Sequence, residues 1–141
     1  MFYIPFILNI LFSSVCAYFA LFETQYITAN FLPLPPFFIQ FIGVGLFLFA
    51  GFIIFALLSQ QKLFWCTVVM ALDVLWVITI VPVAILLKDV FNPEGTKLIM
   101  IINLAVGVLA MLQYIALSSS MRRRNIRWPD IKQFKIFRKD R

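Results

Sequence analysis

Few residues in this chain carry groups able to do chemistry, and the one that commands notice is Asp73. It lies in the middle of the apolar run Val69 to Thr79. An ionisable group at that depth in a membrane-spanning helix is expensive and needs a partner, a proton or water. Three uses are open to it. A carboxyl in apolar surroundings without a cation favours its protonated form, so Asp73 can be a neutral, hydrogen-bonded acid that pins helices together. It can be a proton or cation site, alone or in an oligomer. It can also meet a Lys, Arg or polar group on a partner subunit. No catalytic, cofactor or metal motif accompanies it. The chain has no His, which removes the commonest metal ligand and general base. Cys16 and Cys66 share no metal or redox spacing, and their expected depths differ too much for a disulfide.

The elements that must position Asp73 follow from composition. Of 141 residues 63% are hydrophobic and 13% charged, against about 45–50% apolar in a soluble domain, so the excess calls for another solvent. The length holds four spans of ~20 residues, each enough to cross a ~30 Å hydrocarbon core. We expect an all-α polytopic membrane protein, an antiparallel four-helix transmembrane bundle. Its spans are read at about 2–22, 37–58, 63–87 and 97–117, followed by a basic cytoplasmic tail over 121–141. The loops are short; Pro33, Pro35 and Pro36 close the first, and Asn92-Pro93-Glu94-Gly95 marks a turn in the last. Pro82 is expected to kink the third span or loosen its last turns.

Within the spans, polar and small residues fall on shared faces. Asn9, Ser13 and Cys16 lie on one side of the first, and Asp73 and Trp76 on one side of the third. Counting ~1.5 Å per residue places Asp73, Ser13, Asn103 and the Gly43–Gly45 region in one slab, so Ser13 and Asn103 are the expected neighbours of Asp73, with Trp76 one turn away. Gln113 falls nearer the basic side. Gly43, Gly45 and Gly51 in the second span and Gly107 in the fourth are expected to let helices approach closely.

Charge is segregated. From Arg122 onward there are nine Lys or Arg and two Asp, a net of +7, while the first 121 residues carry a net of −1. Directly after a span, the default partner of Arg122, Arg123, Arg124 and Arg127 is anionic lipid headgroups or a partner protein, not nucleic acid. Ile131, Phe134 and Phe137 with Lys132, Lys135 and Lys139 read as a short amphipathic interfacial helix. Lys62 lies on the same side as the tail, so the positive-inside rule puts both termini in the cytoplasm.

Leu34-Pro35-Pro36 in the first loop, the Gly-containing Phe41 to Gly51, and Asp73-Val74-Leu75-Trp76 together resemble small four-helix integral membrane proteins of bacteria. The resemblance covers most of residues 1–120 and implies the bacterial inner membrane, but it carries no reaction. Small multidrug exporters are similar in length and span number but carry a Glu in the first span, where this chain has Glu23 only at the outer end. Quinone-linked thiol oxidoreductases need a CxxC, which is lacking. The expected function is therefore that of a non-enzymatic structural or accessory subunit of a membrane assembly. The alternative is a small oligomeric transporter or channel for protons, cations or a hydrophobic solute. Other membrane subunits or further copies of the chain are the expected partners.

Overall fold

The computed structural model describes residues 2–86 and 90–123. Among these the chain is all helical, with five helices in the order α1 (Ile4–Phe22), α2 (Thr24–Asn30), α3 (Pro36–Leu58), α4 (Lys62–Leu86) and α5 (Pro93–Arg123). Four of them, all but α2, are long and apolar enough to cross a membrane. Proline sets the starts of three: it opens α3 and α5 and lies in the first turn of α1, where its missing N–H costs no helical bond and its fixed φ favours entry. Pro82 stands inside α4 without ending it.

Two elements differ from the sequence reading. The first loop contains α2, whose Thr24 and Thr28 hydroxyls donate to the carbonyls of Ala20 and Thr24 and so carry helical order across the break at Glu23. The fourth long helix begins at Pro93 and runs to Arg123, past the serines expected to stop it. Those serines satisfy their hydroxyls on their own helix: Ser118 Oγ donates to the Tyr114 carbonyl at 2.7 Å and Ser119 Oγ to the Ala116 carbonyl at 3.0 Å. Back-bonding of this kind removes the usual reason for serine to break a helix.

The long helices turn stripes inward at helical spacing, in steps of three and four on α1, α4 and α5. On α5 the stripe is Asn103, Val106, Ala110, Gln113 and Leu117, and on α1 it includes Phe6, Asn9, Ser13, Ala17 and Ala20. On α4 it is Cys66, Val69 and Asp73, continued by the half-buried Val77 and Ile80. Steps of three and four keep such a stripe on one face of its helix. The most extensive pairings are α1 with α3 and α4 with α5; α3 with α4 and α1 with α5 complete the set. Near the Ser59–Gln61 turn all four helices meet in one apolar cluster of Phe6, Ile53, Ala56, Cys66, Val69 and Leu117. At the other end Gly95 on α5 presses on the Phe31 carbonyl, and a Cβ there would collide with it. The remaining surface is apolar, as a lipid-facing surface must be.

The tail residues from Arg124 onward, including Arg124, Arg127 and the amphipathic Ile131–Phe137 pattern, lie outside the described residues.

Candidate functional site: a buried amide and carboxyl cluster

Asp73 is 4% exposed and lies where α4 faces α1 and α5. Two side-chain amides converge on one of its oxygens. Asn9 Nδ2 on α1 donates to Oδ2 at 2.6 Å, and Gln113 Nε2 on α5 donates to the same oxygen at 2.9 Å. Ser13 Oγ, one turn along α1, donates to Asn9 Oδ1 at 3.3 Å. The chain of donors thus runs Ser13 to Asn9 to Asp73, with Gln113 joining from the opposite side. The α1–α4 link is notable because these two helices share almost no backbone proximity. Asn9 and Asp73 reach each other across the interior. Among the described residues the one ion pair is Lys97 with Glu94, far from this site.

One of these amides leaves its acceptor unpaired beside the carboxyl. Gln113, fully buried, has no hydrogen-bond partner for Oε1 among the described residues, and neither does Oδ1 of buried Asn103. A buried polar atom of this kind is usually met by water or another small polar group.

Asn103 does not reach Asp73. It stands ten residues before Gln113 on the same inward stripe, about 15 Å away along the axis. Trp76 is 38% exposed, on the flank of α4, and takes no part in the cluster. The Gly43–Gly45 region is also at another level, because Gly43 packs on Ala20 and Leu21 near the far end of α1. A Cβ at Gly43 would lie 2.8 Å from Leu21 Cγ, so the α1–α3 contact there is close. Gly45 and Gly51 face open space within this chain, and Gly107 would gain an ordinary 3.9 Å contact with Val77. Of the basic residues, Arg122 is exposed on α5, which is described as far as Arg123.

Asn9 and Gln113 are the partners that sequence reasoning missed. The reason lies in the helix ends. Measured from Arg123, which α5 reaches, Gln113 is ten residues in, and Asp73 is eleven residues from the start of α4 at Lys62. Both come out near 15 Å. Placing the helix end at 117 moved Gln113 toward the surface and left Asn103 as the apparent match. At the same end Lys62 Nζ donates to the Tyr3 hydroxyl at 3.1 Å, which sets the start of α1 level with the start of α4.

Chemically, the cluster can hold an acid in place and bind water. Among the described residues no three of His, Cys, Asp or Glu gather as metal ligands. The cysteines Cys16 and Cys66 are both free thiols. Comparisons with family models, with curated proteins and with solved structures find no match, so the functional reading rests on this geometry.

Proposed function

We propose that the chain is a non-enzymatic integral membrane protein that serves as a structural or accessory subunit of a membrane assembly. The reading takes it as an antiparallel four-helix bundle in the bacterial inner membrane with both termini cytoplasmic. The observation that carries it is the convergence of Asn9 and Gln113 on Asp73 Oδ2. An acid already engaged by two amides and shielded from the surface acts as a tie between three spans, with no open face for a substrate or for a partner's cation. Lys62 and Arg122 support the orientation, being at the end that the positive-inside rule assigns to the cytoplasm. The tail beyond them, with Arg123, Arg124 and Arg127, then lies against anionic headgroups. The test is purification in mild detergent from native membranes. A membrane protein recovered in fixed ratio with the chain is the expected result; recovery of nothing but copies of the chain would overturn the accessory role.

A second reading, a small oligomeric transporter or channel that uses Asp73, draws on the two unpaired buried acceptors, Gln113 Oε1 and Asn103 Oδ1. Water held by them would give Asp73 a route for protons. Purified chain in liposomes distinguishes the two: a proton-linked flux abolished by Asp73→Asn supports transport, and its lack supports the tie.

A further inference from the structure

The outward side of α4 carries a second stripe at helical spacing. Leu72, Leu75, Thr79, Pro82 and Leu86 follow at steps of three, four, three and four, and all are exposed. Such spacing is the seam of a helix pair, and no helix among the described residues covers it. Apolar residues alone on this face would need only lipid. Two polar features on it ask for more.

The first is the Thr79 hydroxyl. The chain has five threonines, and four of them, Thr24, Thr28, Thr67 and Thr96, donate back to a carbonyl four residues earlier in the chain. Thr79 makes no such bond, nor any other among the described residues. The second is the Ile78 carbonyl. Its helical donor would be the N–H of residue 82, and Pro82 has none. Ile78 and Pro82 are both exposed. Thr79 is seventeen residues, ~25 Å, from the start of α4 at Lys62. Against a ~30 Å hydrocarbon core the hydroxyl lies about 5 Å inside the apolar layer. Unmet backbone and side-chain groups at that depth are normally re-satisfied by neighbouring helices.

We propose that this face of α4 holds a second copy of the chain, packed along Leu72, Leu75, Thr79, Pro82 and Leu86. The second copy fits for two reasons. The face carries a free donor and a free acceptor one residue apart, so identical faces complement each other. Two copies inserted the same way also lie parallel at equal depth, which brings Thr79 level with Thr79 of the other copy without further adjustment. Hydroxyls at such contacts hydrogen-bond across helices, and Pro82 opens the backbone that receives them. The other outward faces remain free for a different subunit, so the dimer is compatible with the accessory role. The inference rests on the membrane-spanning reading.

The experiment is a disulfide scan in native membranes. Single cysteines are placed at Leu72, Leu75, Thr79 and Leu86, with Val74, Val81 and Ile85 as exposed controls on the other flank, in a chain carrying Cys16→Ser and Cys66→Ala. After oxidation, dimer bands at the first four positions and weak ones at the controls are expected. Equal bands at all seven, none at any, or adducts with another protein instead of a dimer overturn the proposal. Alkaline carbonate extraction run alongside tests membrane insertion separately, so a chain that stays in the membrane without crosslinking refutes the dimer alone. A second measurement keeps the native cysteines. Thr79→Val preserves shape and removes the hydroxyl, and it should weaken dimerisation in detergent about threefold per hydroxyl, near tenfold for the pair. An unchanged dissociation constant overturns the role of Thr79.

Discussion

Replacing Asp73 with Leu should damage the fold more than removing the whole polar cluster. The single change deletes two hydrogen bonds, those from Asn9 and Gln113. Interhelical bonds in membranes average ~0.6 kcal/mol and reach ~1.7. It also leaves two buried amide donors without an acceptor, and Gln113 then has neither polar atom paired. An orphaned buried group costs ~1–3 kcal/mol, and the low end applies in lipid because the unfolded chain is not hydrated there. Together these give about 2–3 kcal/mol, roughly a 30- to 150-fold loss in the folded-to-unfolded ratio. The triple variant Asn9→Leu, Asp73→Leu, Gln113→Met replaces all partners with apolar groups of similar shape. It should lie within ~1 kcal/mol of the parent, because the one group it releases is the Ser13 hydroxyl, which can turn to the residue-9 carbonyl one turn back. Steric trapping in bicelles measures all of these on one scale. Asp73→Asn, which keeps an acceptor, is expected between the parent and Asp73→Leu. A harmless Asp73→Leu, or a triple variant less stable than the single one, would refute the idea that the cluster is a mutually satisfied tie.

Three further outcomes follow from packing. Gly43→Val should destabilise by ~1–3 kcal/mol through overpacking on Leu21 and Ala20, whereas Gly45→Ala, with nothing within 4 Å, should be neutral or stabilising; thermal unfolding in detergent compares them. Gly95→Ala should separate the start of α5 from Phe31 and Leu32, seen as faster protease cleavage of the α2–α3 connection, with Thr96→Ala as a control nearby. Cys66, fully buried, should resist maleimide until the protein unfolds, while the half-buried Cys16 labels first; equal rates in the folded state would contradict the packing of the apolar cluster.

Much of this architecture is legible in the sequence because the solvent dictates it. Apolar runs of about twenty residues separated by proline and polar turns have few ways to satisfy their backbone other than as spanning helices. The inward position of Asn9, Ser13 and Asp73 was also readable, from spacing alone. Which polar residues meet was not, since a helix that overruns its expected end by six residues shifts a depth estimate by about 9 Å, enough to exchange Gln113 for Asn103. The serines at the expected boundary, Ser118 to Ser120, look like a stop in sequence yet all lie in α5, where the hydroxyls of Ser118 and Ser119 bond backward. The repeat Asn103, Val106, Ala110, Gln113, Leu117 was the available signal, because it continues unbroken past the expected boundary. The glycines show the same limit. Composition marks Gly43, Gly45 and Gly51 as equivalent, and only the direction of each Cα distinguishes the one that touches α1 from the two that face outward.

The position of the cluster explains why a membrane bundle would carry it at all. Lipid and core are equally apolar, so burial of Phe6, Ile53 or Leu117 does not by itself favour one helix arrangement over another. The α1–α3 and α4–α5 pairs are extensive and could each form alone. What joins the two pairs in a single register is the smaller contact between them, and there the specific bonds are Asn9 to Asp73 and, at the helix starts, Lys62 to Tyr3. A slip of one pair against the other by a helical turn, ~5.4 Å, would break the 2.6 Å bond from Asn9 to Asp73 while leaving apolar contacts nearly as good. Polar groups that lock one register at a modest cost in stability have this role in coiled coils. By that logic the triple apolar variant should keep its stability yet lose its uniqueness. Disulfide trapping between a cysteine at Tyr3 and one at Lys62, positions now joined by a hydrogen bond, should then give a mixture of registers where the parent gives one.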